Sequence, residues 1–158
     1  MQKLTGLMPY FFGVLLAGNV HAQIVTPPDK DQLLNGEPAG QTMSADSNGF
    51  PSPQKILLLK EYLNLTKDQV KKIDAMLKNL PVSAIVKGQE IVEAEEDLNK
   101  IFAAGNVNER TLRTKLEHIG KLRAELRFTY LQAYLKAKQV LSANQWERLK
   151  ESMSSEVK

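Results

Sequence analysis

The chain has 158 residues, of which 42% are hydrophobic and 25% are charged, with a formal net charge of +3 and no cysteine. This length is enough for one domain with an ordinary hydrophobic core, and the lack of cysteine excludes stabilisation by disulfides. Basic and acidic side chains nearly balance, which argues against nucleic-acid binding, because that function needs a clustered basic face.

Residues 1–22 have the layout of a secretory signal peptide. Lys3 precedes an apolar run over residues 7–16, and the small residue Ala22 closes the segment. A membrane-spanning helix would need about 20 apolar residues, and Pro9 lies within the run. We therefore expect cleavage after Ala22, a periplasmic location and no membrane insertion of the cleaved chain. A lipoprotein is excluded because no cysteine exists to carry the lipid.

Residues 23–52 are rich in Pro, Gly, Asp and Ser, and their apolar residues follow no period. A segment of this composition buries too little apolar surface to offset the entropy lost on ordering. The sequence therefore predicts a disordered tether, for which a spacer is the simplest role.

From residue 53 to residue 153 nearly every segment has helical spacing, and no run alternates with period two. This predicts one all-α domain, followed by a C-terminal tail at 154–158. Ser52 followed by proline at the next position predicts the cap of a short first helix. Thr66 opens the second helix.

Pro81 must break or kink this second helix, because proline lacks a backbone donor and clashes with the preceding turn. The pattern then resumes and stops at Gly105, a residue suited to end a helix. Asn106, three residues before Glu109, predicts the next cap.

The third helix is predicted to run to Val140, about 34 residues or roughly 50 Å. Its apolar residues recur every seven positions, which favours packing along an antiparallel partner. Arg123 interrupts a second apolar line on the same helix. The recurring residues are Leu112, Ile119, Leu126, Ala133 and Val140, and the second line is Leu116, Tyr130 and Ala137.

The stretch from Leu65 to Gln69 predicts a capping box. The Thr66 hydroxyl would accept from the backbone N–H of Gln69, while the Gln69 side chain would reach back to the N–H of Thr66. The same pattern returns at residues 141–145, where Ser142 and Gln145 take these roles. Apolar residues flank each box at the spacing of a hydrophobic staple, so each box should fix a sharp corner between helices. The flanking residues are Leu65, Val70, Leu141 and Trp146.

The two boxes, Leu65-Thr66-Lys67-Asp68-Gln69 and Leu141-Ser142-Ala143-Asn144-Gln145, resemble the LTxxQ-motif family of periplasmic proteins, which includes the Spy and CpxP chaperones. The second box has Ser where the family has Thr. The resemblance implies a four-helix hairpin-type protomer that forms a thin, curved homodimer. It also implies an ATP-independent chaperone that holds unfolded or misfolded envelope proteins. Some members instead dock on a sensor kinase of the envelope-stress response, and some distant relatives bind metal.

The residue types favour neither an enzyme nor a cofactor site. His118 is the only histidine after the predicted signal peptide, and the carboxylates between Glu93 and Asp97 crowd one stretch of helix. Such a cluster is typical of a solvated helical face. A metal site at His118 could draw on Glu125 at i+7 but has no second donor at i+4. Metal binding and docking on a sensor kinase stay as alternatives to the chaperone.

Client binding is predicted on the third helix, where apolar residues outside the seven-residue repeat alternate with cations. Arg123 is the leading candidate, because a charge within an apolar line often marks an exposed edge. Arg127 carries the same charge, and Tyr130 and Tyr134 are amphipathic and one turn apart. The additional apolar residues are Leu122, Phe128, Leu131 and Leu135.

Overall fold

The computed structural model describes residues 26–155, which form six helices and contain no strand. The predicted all-α class is therefore confirmed. The helices are α1 (Lys30–Asn35), α2 (Met43–Asp46), α3 (Pro53–Leu58), α4 (Lys67–Ala103), α5 (Glu109–Val140) and α6 (Ala143–Ser155). The predicted signal peptide lies outside the described residues, and α6 reaches two residues into the predicted tail.

A long antiparallel hairpin of α4 and α5 forms the frame of the molecule. Two ion pairs join α4 to α5: Lys87 Nζ lies 3.1 Å from Glu125 Oε2, and Lys115 Nζ lies 3.5 Å from Asp97 Oδ2. Gly105, with φ +66°, lies in the turn between the helices, as the sequence predicts. A capping box at both outer corners then sets α3 and α6 against the open end of the hairpin.

Two details of the hairpin differ from the prediction. Helix α4 continues through Pro81, so the predicted break does not occur, whereas a kink there stays a prediction. Buried Ala84 and Ile91 anchor the turns that follow. Their packing offsets the one backbone hydrogen bond that proline removes. The cap of α5 is Asn108, not Asn106, because the Asn108 side chain is the one that accepts from the backbone N–H of Thr111, at 3.0 Å.

The core has two parts, which lie at different positions along the hairpin. The corner core lies where α3, α4, α5 and α6 meet and includes Ile56, Leu63, Ile73, Ala137 and Leu149. The second core lies further along the hairpin and is built from Leu33, Ala84, Ile91, Val92, Leu126 and Tyr130. Leu33 comes from α1, so the N-terminal segment takes part in the second core.

Residues 26–50, which we call the strap, are ordered, whereas the sequence predicted a disordered tether over 23–52. Leu33 is 3% exposed, and Thr42 and Ala45 are also buried. At the end of the strap, Phe50 packs on Trp146 of α6 with ring centroids 5.7 Å apart. Few apolar residues are enough here because the hairpin supplies the surface on which they are buried. Residues 23–25 lie outside the described part of the chain.

The strap accounts for the difference between the four predicted helices and the six observed. Its helices α1 and α2 are only six and four residues long, and the sequence predicts no helix there. Within residues 26–155, no helix is both long and apolar enough to cross a lipid bilayer.

Candidate functional site

The two capping boxes meet at the open end of the hairpin, where Gln69 and Gln145 bond to each other. Gln69 Nε2 donates to Gln145 Oε1 at 2.8 Å, and Gln145 Nε2 donates to Gln69 Oε1 at 3.1 Å. Each amide oxygen also accepts from the backbone N–H of its own cap residue, Thr66 or Ser142, at 2.9 Å. Both predicted boxes are confirmed, since the hydroxyls of these caps accept from the backbone N–H groups of the glutamines.

The remaining amide protons of this pair tie the corner to neighbouring backbone. Gln69 Nε2 donates to Val140 O at 2.7 Å, and Gln145 Nε2 donates to Leu63 O at 3.2 Å. Leu63 lies just before the first box and Val140 lies just before the second. Each glutamine therefore binds the backbone that leads into the box of the other glutamine. The corner is therefore one connected hydrogen-bond network with an architectural role.

Arg123 of α5 does not have the exposed edge position that the sequence predicted. Its guanidinium is held between Asp29 of the strap, at 2.7 and 3.3 Å, and Glu95 of α4, at 3.0 Å. The hydrogen bond and the charge of Arg123 lower the pKa of the Asp29 carboxyl, and the hydrogen bond to Asp29 raises the pKa of Arg123. Arg123 thus interrupts the apolar line in order to fasten the strap.

The other three predicted binding residues also contact the strap. The Arg127 guanidinium donates to Ser44 Oγ at 3.0 Å, and the Tyr134 hydroxyl donates to Asp46 Oδ1 at 2.8 Å. The Tyr130 hydroxyl donates to Gly36 O at 2.7 Å. Burial raises the pKa of Tyr130 to about 12. The structure therefore brings all four residues together on one face of α5, where they hold the chain's own N-terminal segment.

An open groove of about 910 Å³ lies between the strap, α3 and α4. Tyr130 and Tyr134 line it from α5, and its remaining wall is mostly aliphatic. Its size falls within the range of ligand sites, which are mostly apolar and carry a few polar groups. Leu58 at its rim is 75% exposed. The aliphatic wall includes Leu57, Leu58, Val70, Leu77, Leu80 and Pro81.

The outer face of α5 carries a second apolar surface, which we call the outer stripe: Phe128, Leu131 and Leu135. Steps of three and four residues place these side chains on one face of the helix. Phe128 is 60% exposed and Leu135 is 51% exposed. On α4, Val82 and Val86 are likewise more than half exposed and one turn apart. Several exposed apolar side chains on one helix face make that face a candidate interaction site.

His118 is exposed on α5, and Glu125, the carboxylate that could share its face, pairs with Lys87. Across residues 26–155, no group of three or more His, Cys, Asp or Glu side chains is arranged to hold a metal ion. Of the acidic cluster, Glu95 binds Arg123 and Glu96 binds Lys30 of the strap at 3.1 Å. This part of the cluster therefore fastens the strap to the hairpin.

The sequence does not predict the groove or the contact of the strap with α4. One signal was present, since Gly88 stands inside an otherwise regular helical pattern. An isolated glycine there costs helix stability and usually has a packing reason. No protein-family model matches this chain, and neither a curated protein nor a solved structure matches it.

Proposed function

We propose that this protein holds partly unfolded polypeptides reversibly, without nucleotide, through the apolar groove and the outer stripe. The observation that carries the proposal is the exposure of large apolar side chains on the helical hairpin. Phe128, Leu135 and Leu58 are each more than half exposed. Burying such side chains against a client contributes roughly 25 cal/mol per Å² of apolar area.

Cations border the outer stripe and add long-range attraction for acidic chains. Lys121, Arg127 and Lys136 lie on the same helix and are exposed. Weak apolar contact combined with charge suits a holding role, in which many sequences bind and none binds tightly. The binding surface requires no catalytic group and no cofactor.

The proposal includes membership of the LTxxQ group, a periplasmic location and a homodimer. The proposed membership rests on the likeness of the two boxes, residues 65–69 and 141–145, to the motif of that group. Light scattering of the chain that begins at residue 23 tests the homodimer, which predicts twice the mass of that chain.

The holding function is tested by adding the chain to a chemically denatured model protein and following light scattering without ATP. We expect suppression near stoichiometric ratios and its loss in a variant with Phe128→Ser and Leu135→Ser. Gln139→Ser is the matched control, since Gln139 is an exposed polar residue of the same helix. Undiminished suppression by the folded double variant would remove the outer stripe from the proposal, and no suppression by the natural chain would refute it.

A further inference from the structure

The strap lies against α4 at a notch made by a missing side chain. A Cβ atom at Gly88 would overlap Leu33 O and would lie 2.7 Å from Leu33 C, so only glycine allows this backbone approach. Immediately after α1, Gly36 has φ +65°, and a Cβ there would be 3.0 Å from Pro81 O. The two glycines let the strap and α4 approach backbone to backbone over about two helical turns.

Side chains on both sides of this notch give the contact its specificity. Asp29 pairs with Arg123, and four residues later Leu33 is buried in the second core. The Gly36 carbonyl then accepts from the Tyr130 hydroxyl. Three groups of the strap thus have separate partners on the hairpin: the Asp29 carboxylate binds Arg123, Leu33 packs in the second core, and the Gly36 carbonyl binds Tyr130.

The order of the strap must come from this surface. Helix α1 has six residues, and isolated helices shorter than about 12 residues are marginal in water. A segment that folds only on its receptor is bound in the same sense as a peptide ligand. The strap thus shows which chemistry the surface selects.

We infer that the face formed by Gly88, Arg123 and Tyr130 is a recognition surface for short segments that carry a carboxylate four residues before a leucine. The strap is its built-in occupant, and a partner segment of the same chemistry takes its place. This inference goes beyond the proposed function, because it assigns a selective surface in addition to the groove and the outer stripe, which hold chains without selectivity. The outer stripe remains available in either state.

The test uses the full chain with Asp29→Asn and Leu33→Ser, which weaken the strap and leave the face intact. The probe is a fluorescent peptide of residues 26–49, followed by anisotropy. We expect at least tenfold tighter binding to this variant than to the natural chain. A peptide with the same two substitutions should bind at least tenfold more weakly than the natural peptide.

Adding Gly88→Ala to this variant should abolish binding of the peptide, because the methyl group fills the notch. Gly120→Ala is the matched control, since Gly120 is a helical glycine of α5 and a Cβ atom there would have no other side chain within 4 Å. Equal peptide binding in the Gly88→Ala and Gly120→Ala backgrounds would overturn the inference, as would no binding to the folded double variant.

A second measurement covers the case in which the double variant does not fold. Gly88→Ala alone should speed amide exchange in residues 30–35 at least tenfold while the α4 and α5 amides stay protected, and Gly120→Ala should not. Unchanged exchange in residues 30–35 would overturn the inference. Failure of the inference is distinct from failure of the holding function, because suppression of aggregation would then persist without selectivity for the peptide.

Discussion

The side-chain amides of Gln69 and Gln145 are paired with each other through two hydrogen bonds, of 2.8 and 3.1 Å, although 76 residues separate them in sequence. Each amide also completes its own capping box. Each glutamine therefore caps the start of its own helix and also joins the two helices to each other. This explains why the two boxes carry Gln at the third helical position, where Glu would serve the cap equally well. A carboxylate could accept from the cap N–H but could not donate to the opposite amide.

Gln69→Ala should lower the free energy of unfolding by about 2–3 kcal/mol, because it leaves Val140 O and the Gln145 amide without their partner. Gln145→Ala should act similarly. Since the two side chains contact each other, the double variant should show about 1 kcal/mol of coupling in a denaturant-based double-mutant cycle. Gln89→Ala, at an exposed position of α4, is the control and should stay within about 0.5 kcal/mol. Strictly additive effects at 69 and 145 would contradict a shared network.

Thr66→Ala and Ser142→Ala should each lower the free energy of unfolding by about 0.5–2 kcal/mol, because each removes the oxygen that accepts from a first-turn N–H. Thermal unfolding followed by circular dichroism measures the change. Thr66→Ser and Ser142→Thr keep the hydroxyl and serve as controls. A melting temperature unchanged by the alanine variants would show that water replaces these caps without cost.

The helical domain was predictable from sequence where structure is specified locally. Thr66, Ser142 and Ser52 are caps whose partners lie three residues away, and their predictions are confirmed. The seven-residue repeat likewise identified Ile119, Leu126 and Ala133 as buried. The sequence misplaced the α5 cap by two residues because both Asn106 and Asn108 are competent caps, and local chemistry does not choose between them.

The strap was not predictable because its order depends on residues far away in sequence. Leu33 is buried only because Gly88 permits a close approach, and Asp29 is fixed only because Arg123 lies opposite it. Composition reports how much apolar surface a segment carries and cannot report that a surface elsewhere in the chain fits it. For the same reason, Arg123 was interpreted as an exposed edge when it is an intramolecular anchor.

Acid should loosen the strap through Asp29. Arg123 holds the pKa of the Asp29 carboxyl below its ordinary value of 3.8. The Asp29 carboxyl thus binds a proton less readily in the folded state than in the unfolded state. The stabilisation by the Asp29–Arg123 pair is therefore complete above the ordinary pKa and is lost as pH falls through the lowered value. Glu95 also contacts Arg123, and Glu96 contacts Lys30 of the strap.

Because the chain has no cysteine, a single dye at Met43→Cys can report on strap motion. Met43 is an exposed residue of α2. We expect dye anisotropy to fall as pH is lowered from about 6 to below the ordinary Asp29 pKa of 3.8, before the helical circular dichroism signal is lost. With Asp29→Asn added, anisotropy should already be low at the starting pH and change less on acidification. An identical acid transition in the presence of Asp29→Asn would show that Asp29 does not cause the loosening.

Tyr130 should ionise only in strong alkali, because its buried hydroxyl donates to Gly36 O and burial raises its pKa to about 12. A pKa that is raised in the folded state means that the unfolded chain loses the Tyr130 hydroxyl proton first. The contribution of this hydroxyl to the free energy of unfolding is therefore intact below about pH 10 and is lost as pH rises towards 12. Phenolate absorbance should therefore include a late component that Tyr130→Phe diminishes. Tyr130→Phe should also cost about 1–3 kcal/mol near neutral pH, because Gly36 O loses its donor. Tyr62→Phe is the control, since Tyr62 is exposed. Burial also raises the pKa of Tyr134, so part of the late component should remain, but a late component undiminished by Tyr130→Phe would contradict the assignment.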